Sequence, residues 1–378
     1  IWRARTQNAN FGQPIVTPRT VVVGGGDPWL NLGATGMFKA RSPKTKVGDN
    51  WGYMRGLHPD TGVEKWTVYS GLGTSSMTPL YNNGNLYWVN GQGRVWAINA
   101  DTGEPVAPFM DSEGLPKLSL GGFNAISSAN VYRRASGDLM VVGMTMPNRM
   151  VAINLSSGAV EWKQDLSGVG STYLTGFAAV SPAVSQRKNL VVSTVLINAD
   201  VSTQTVTQLA FALNANTGAV VWTQPVGSGA LPVGGFVGPT PLLDDDQVYL
   251  NNPIGNNVVA LDLNTGDSQW QTPVNTPGDR FSWGPGVLVK DRLIQPVGSA
   301  LYTLRASTGE VLKKYRLGGS MTYNHPTVVG ETLYVGNSWG WVTALPLKAV
   351  TGMPRGRLKP DGKGNSDKET DDSDNGKN

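Results

Sequence analysis

The chain has 378 residues, 39% hydrophobic and 15% charged, so it is long enough to bury a large core, and its formal charge of +4 is too small to mark a nucleic-acid binder. It has no cysteine, which excludes a disulfide framework, thiolate metal ligands and a cysteine nucleophile. No apolar run approaches the ~20 residues of a membrane span. The 48 glycines, with abundant Asn, Thr and Ser, suit an extracytoplasmic all-β protein rich in turns.

Taken in chain order, one phrase recurs: a small residue, Leu or Ile, a polar residue, two variable positions, then Thr-Gly or Ser-Gly. It runs over Gly56–Gly62, Ala97–Gly103, Ala152–Gly158, Ala212–Gly218, Ala260–Gly266 and Thr303–Gly309, with a stretched copy from Ala344-Leu345 to Thr351-Gly352. A period of roughly 40–60 residues marks one supersecondary unit copied along the chain. Alternating apolar runs such as Leu86–Val89 and Val95–Ile98 lead into the phrase and read as half-buried strands. The Thr-Gly stop reads as a tight hairpin with Gly at positive φ. Trp follows four residues later at Trp66, Trp162, Trp222 and Trp270. Upstream, Thr17-Pro18, Thr78-Pro79, Ser181-Pro182, Thr240-Pro241, Gly284-Pro285 and His325-Pro326 open six of the units, as Pro does at the first residue of an inner strand, and Ser127-Ser128 fills that slot in the third unit.

Each unit is therefore four short antiparallel strands, and their radial repetition is a β-propeller. The expected blades cover residues 14–68, 78–109, 124–166, 178–226, 238–274, 283–317 and 323–347. Seven is the expected count; eight is the alternative if sequence is missing ahead of Ile1. The seventh blade shows three strands, and Ile1-Trp2-Arg3-Ala4 resembles the strand it lacks, with Trp2 in the motif position.

Other features fall between the repeats. Blade one carries an insertion from Asp27 to Trp51 with Trp29, Phe38 and the basic run Lys39, Arg41, Lys44 and Lys46; a loop this long is usually functional or disordered. His58 fills the polar slot of the first phrase and reads as structural. His325 stands at an inner-strand entry, where a ligand in the channel could meet it. Two separated histidines argue against a His-rich metal site and a Ser-His-Asp triad. Asp244-Asp245-Asp246 reads as a solvated hairpin rather than a cation loop, and Gly24-Gly25-Gly26 opens no helix and is no phosphate cradle. Residues 1–352 form the propeller by this reading. Residues 353–378 are a polar tail, neutral in sum, that cannot bury enough apolar surface to fold alone.

The phrase Ala260-Leu261-Asp262-Leu263-Asn264-Thr265-Gly266 with Trp270 resembles the repeat of the PQQ-like, quinoprotein-type β-propeller superfamily. The resemblance reaches to about residue 350. It implies that the motif Trp docks one blade on the next. The superfamily holds quinoprotein alcohol dehydrogenases and cofactor-free scaffolds such as the outer-membrane assembly lipoprotein propeller. The dehydrogenases usually carry a vicinal cysteine pair and a Ca²⁺ or lanthanide held by Glu, Asn and Asp. This chain has no cysteine and offers few carboxylates near inner strands, Asp279 among them.

The expectation is thus a propeller without cofactor, acting as a non-catalytic extracytoplasmic scaffold for other proteins of an envelope or cell-surface complex. The location would be periplasmic, outer-membrane-associated or extracellular, with membrane tethering through a removed N-terminal segment as an option. The alternatives are a small-molecule or glycan binder and a PQQ-dependent dehydrogenase. The inter-blade connections and the blade-one insertion place Tyr173, Arg280, Trp283, Tyr323, Asn324, His325 and Trp29 as the candidate partner-binding residues, because aromatics and Arg are interface anchors. Phe177, Phe236 and Phe281 serve equally as plugs of the axial funnel.

Overall fold

The apolar runs ahead of each phrase are buried on both sides, and this dictates stacked sheets. A computed structural model describes residues 2, 4, 12–26, 51–72, 77–122, 127–144, 148–166, 181–200, 202–203, 205–230, 239–274, 284–321, 325–337 and 341–353. They form seven antiparallel sheets in chain order. Blade one holds β1 (Ile15–Val16), β2 (Val21–Gly25), β3 (Trp51–Leu57) and β4 (Glu64–Leu72). Blade two holds β5 (Leu80–Asn82), β6 (Asn85–Val89) and β7 (Val95–Asn99). Blade three holds β8 (Asn130–Tyr132), β9 (Leu139–Met144), β10 (Arg149–Asn154) and β11 (Val160–Asp165). Blade four holds β12 (Ala183–Ser185), β13 (Leu190–Asp200), β14 (Thr205–Asn214) and β15 (Val220–Ala230). Blade five holds β16 (Leu242–Leu243), β17 (Gln247–Asn252), β18 (Asn257–Asp262) and β19 (Ser268–Pro273). Blade six holds β20 (Val287–Val289), β21 (Arg292–Val297), β22 (Ala300–Arg305) and β23 (Val311–Arg316). Blade seven holds β24 (Thr327–Val329), β25 (Thr332–Gly336) and β26 (Val342–Pro346), followed by the helix α1 (Leu347–Thr351). The expected propeller and its seven blades are present, in the expected order.

In blades two, three, five and six the second and third strands have no solvent face. All six residues of β9 are buried, and β10, β17 and β18 are nearly so. Alternation belongs instead to the outermost strands, such as β11, where Trp162 is the buried position of an otherwise partly exposed strand. The inner strands β8, β12 and β16 touch in sequence around the axis. The cores lie between sheets: Leu190, Val192, Ala210 and Trp222 of blade four meet Val248, Leu250, Val259 and Leu261 of blade five.

The recurring phrase is not a two-residue hairpin. In all seven copies the Gly N–H donates to the carbonyl of the polar residue four earlier, at 2.8–2.9 Å, and Gly has φ between 70° and 79°. This is one turn of helix closed by a left-handed glycine. The polar side chain caps its start: Asn214 Oδ1 accepts from the N–H groups of Asn216 and Thr217, and Asp262 Oδ1 from those of Asn264 and Thr265. In blade seven the stretched copy turns through α1, and Gly352 N–H reaches Lys348 O.

The same turn receives the preceding blade. The Trp162 ring covers Gly218, where an added Cβ would stand 2.6 Å from it, and its indole N–H donates to Ala215 O. Trp222 covers Gly266 and reaches Leu263 O; Trp270 covers Gly309 and reaches Ala306 O. Trp66 covers Gly103. Two joints depart from the aromatic. Pro108 covers Gly158, and the segment after Pro105 shields the outer edge of β7 in place of a regular strand. Lys313, in the Trp slot of blade six, donates through Nζ to Ala349 O, three residues before Gly352, as the Trp162, Trp222 and Trp270 indoles do to the carbonyls three residues before Gly218, Gly266 and Gly309.

Trp2 occupies the same slot on blade one. Its ring covers Gly62 and its indole N–H donates to Pro59 O at 2.7 Å. The expected docking role of Trp2 is therefore met, but the expected strand is not seen among the described residues: Trp2 and Ala4 lie in no strand, and the blade-seven sheet holds β24, β25 and β26. Residues 1 and 3 lie outside the described residues. Of the segment from 353, Met353 is described and packs into the core between blades six and seven.

Candidate functional site at the axial mouth

Strand alternation sorts the connections onto two ends. The phrase turns share one end with the turns between the first and second strands. The connections from one blade to the next share the other with the loops between the second and third strands. The repeats differ most at this second end, so chemistry peculiar to this protein belongs there.

Small polar residues build the wall. Ser128 N–H donates to Ser181 Oγ at 3.0 Å and Asn130 Nδ2 to Pro182 O at 3.4 Å, tying blade three to blade four, while Ser193 Oγ holds Ser181 O within blade four at 3.3 Å. Gln186 continues the seam: its Nε2 donates to Val131 O at 2.7 Å, and its Oε1 accepts from Arg133 N–H at 2.9 Å. Thr194 Oγ1 donates to Pro239 O at 3.3 Å. Of these, Ser128 and Ser181-Pro182 belong to unit entries read from the sequence.

Asparagines at the ends of second strands were not singled out from the sequence, and they form a second seam. Asn90 Nδ2 donates to Ser70 O, Asn252 Nδ2 to Val226 O and Asn337 Nδ2 to Gly318 O, each reaching the outermost strand or exit of the preceding blade. The same side chains close their own loops: Asn90 Oδ1 accepts from Gln92 and Arg94, and Asn252 Oδ1 from Ile254 and Gly255. The available signal was an Asn directly after an apolar strand in three units, which reads equally as a generic turn residue. Near this seam Gln208 is fully buried, with neither side-chain polar atom hydrogen-bonded among the described residues.

Of the candidate contact residues, His325 is described. Its side chain is exposed, yet surrounding protein strips enough water from it to push its pKa from 6.5 down to about 4. Tyr173, Arg280, Trp283, Tyr323, Asn324 and Trp29 lie outside the described residues, as do Phe177, Phe236, Phe281 and Asp279.

The remaining expectations concern the opposite end. His58 Nδ1 accepts from Asp60 N–H at 3.3 Å, a turn role as expected. Asp244 Oδ1 accepts from Asp246 and Gln247 N–H, and Arg187 and Lys188 of blade four pair with Asp245 and Asp246, so the acidic run is an ion-paired hairpin. The Lys188 ammonium and the Arg187 guanidinium hold the Asp246 carboxyl below its usual range. Among the described residues no three His, Cys, Asp or Glu side chains are grouped as for a metal ion, and no helix is long and apolar enough to cross a membrane.

Repeat, blade order and interlocking indoles together define a PQQ-like β-propeller. Residues 121–280 match the family described as outer membrane protein assembly factor BamB (PQQ_2), in agreement with that repeat. Among solved structures it resembles BamB from Moraxella catarrhalis, at 13% identity and a TM-score of 0.57 over 89% of this chain and 85% of that one. It also resembles a europium-containing methanol dehydrogenase, at 12% identity and a TM-score of 0.60 over 89% and 76%. At such identities these likenesses speak for the fold alone. Two curated proteins are nearer in sequence. The tetrathionate hydrolase of Acidithiobacillus ferrooxidans is 29% identical over 93% of this chain and 67% of its own length. That of Acidianus ambivalens is 29% identical over 74% of this chain, which spans 52% of the relative.

These relatives overturn the expectation of a non-catalytic scaffold, and with it the expectation that the protein is not an enzyme. The error has a physical source. The repeated residues are spent on docking blades, so they carry no chemistry whether or not the protein catalyses a reaction. Absence of a cysteine pair argues against one enzyme class, not against catalysis.

Proposed function

We propose that the protein hydrolyses polythionates of the tetrathionate type. The observation that carries this reading is the likeness to two tetrathionate hydrolases, one of them over 93% of the chain. Tetrathionate is a dianion with a sulfonate at each end of a disulfane. In hydrolysis, water oxygen bonds to one terminal sulfonate sulfur and the adjoining S–S bond breaks. The sulfonate departs as hydrogen sulfate, which keeps one proton of the water. The released sulfur chain takes the other proton and leaves as a disulfane monosulfonate anion. The site must hold two sulfonates with N–H and O–H donors and cations, and must place a proton acceptor beside water.

The axial mouth suits this chemistry. The net positive charge resides in the propeller, since the tail is neutral in sum. Arg280, on the connection into blade six, is the proposed sulfonate ligand, and Tyr173, Tyr323 and Asn324 are the proposed neutral donors. Trp283 and Trp29 would wall the sulfur chain. His325 would stay neutral above pH ~4 and could accept a proton from water there. An extracytoplasmic location fits the cysteine-free, turn-rich composition. The test is direct: purified protein with tetrathionate should release sulfate and thiol-reactive sulfane sulfur in equal amounts with acidification. Release no faster than in buffer would reject the reading.

A further inference from the structure

Blade four overruns the blade that follows it. Its strands β13, β14 and β15 run 11, 10 and 11 residues, against six for each of β17, β18 and β19 of blade five. Alternation on β14 sends Ala210 and Ala212 towards blade five, and Gln208 with them. On blade five, Val259 and Leu261 of β18 face back, and so does Asn257 at the start of that strand. Asn252, at the end of β17, shares this face with Leu250. Three carboxamides, of Gln208, Asn252 and Asn257, therefore meet in one seam at its mouth end.

The backbones there are in close contact. Gln208 pairs with Gly227 across the ladder, and the register shifts beside them, leaving Val226 as the extra residue of β15. A Cβ added to Gly227 would collide with Asn252 Nδ2. One added to Gly255 would stand 2.7 Å from Asn257 Nδ2 and 2.8 Å from Asn252 Nδ2.

Three atoms of this seam are orphans. Gln208 is 1% and Asn257 4% exposed, yet Gln208 Nε2, Gln208 Oε1 and Asn257 Oδ1 have no hydrogen-bond partner among the described residues. Asn252 is already committed, through Nδ2 to Val226 O and through Oδ1 to the N–H groups of Ile254 and Gly255. Asn257 Nδ2 donates to Gly255 O at 3.1 Å. Buried polar side chains are paired as a rule, with protein or with ordered water. The orphan set selects its ligand, because one group must donate and two must accept. A cation would be opposed by the Gln208 Nε2 hydrogens and an anion by the two oxygens. Water donates and accepts at once, and internal waters bridge buried groups of this kind.

We propose that the seam between blades four and five is a binding site for internal water. One molecule donates to Gln208 Oε1 and Asn257 Oδ1, and a second accepts from Gln208 Nε2. The site joins the overhang of blade four to the loop from Asn252 to Asn257. That loop also holds the exit of blade five: Val274 N–H donates to Asn256 O at 3.1 Å, at the start of the connection that carries Arg280.

Two measurements on the intact protein test this. High-resolution diffraction should show water within ~3.2 Å of Gln208 Oε1, Gln208 Nε2 and Asn257 Oδ1. A dry seam overturns the proposal, and so does a metal ion with contacts near ~2.4 Å. Stability then reads the same site by its sign. Gln208→Met keeps the length of the side chain and removes both of its orphans. In a hydrated seam the change strips the waters of their partners, so the melting temperature should fall by at least ~1 °C. In a dry seam it relieves two unpaired buried groups, and an unchanged or raised melting temperature overturns the proposal.

Discussion

At the scale of single residues, His325 connects environment to function. Its imidazole, lowered from 6.5 to about 4, is neutral in the folded protein across a window where the unfolded chain would carry the proton. The unfolded state therefore binds more protons between about pH 4 and 6.5, and stability from this group rises with pH across that window. Below about 4 the deficit is complete. His325→Gln should lose less melting temperature than the parent when pH falls from 7 to 4, as thermal denaturation at both pH values will show. Protonation below 4 also adds positive charge at the mouth. The parent KM for tetrathionate should fall there and that of His325→Gln should not. Arg280→Ala should raise KM at least tenfold in steady-state assays, on the order of the ~1.5–3 kcal/mol of a hydrogen bond to a charged group. An unchanged KM would place the sulfonate site elsewhere.

At the scale of the element, the helical turn and its indole act as one unit. Trp222 is buried, bonded to Leu263 O and laid over Gly266. Its replacement by Ala should cost about 3–5 kcal/mol in urea denaturation. Gly266→Ala meets two penalties: φ of 79° and an added Cβ 2.7 Å from the Trp222 ring. It should destabilise by more than ~1 kcal/mol. The blade six joint is milder. Lys313→Met removes the Nζ bond to Ala349 O and should cost ~1 kcal/mol. The strands, their order and the Trp slots were legible because each carries a local signature. The shape of the turn was not. Asp-x-x-Thr-Gly satisfies a two-residue hairpin and a capped helical turn alike, and the helical turn recurs even at Gly158, where Pro108 rather than an indole lies over it. The docking roles of Pro108 and Lys313 were hidden for a similar reason: only contact with the next blade shows that a proline or an ammonium has taken the aromatic's place.

At the scale of the whole molecule, the tail and the ring make opposite predictions. Removing residues 354–378 should leave the melting temperature unchanged, since that segment has too little apolar surface to contribute a core. Trp2→Ala should lower it clearly, since a half-buried indole and its bond to Pro59 O join blade one to its neighbour. The sequence by itself determined the propeller class, the seven units in this chain and the Trp that locks one to the next, because repetition writes the same packing problem many times over. It also named the connections that differ between copies. It did not determine whether those connections catalyse, because residues that act together there come from separate blades. Tertiary structure alone decided which faces found partners. Val342 and Val258 stand alike in sequence, and one lies bare while the other is buried, because burial depends on the sheet next door.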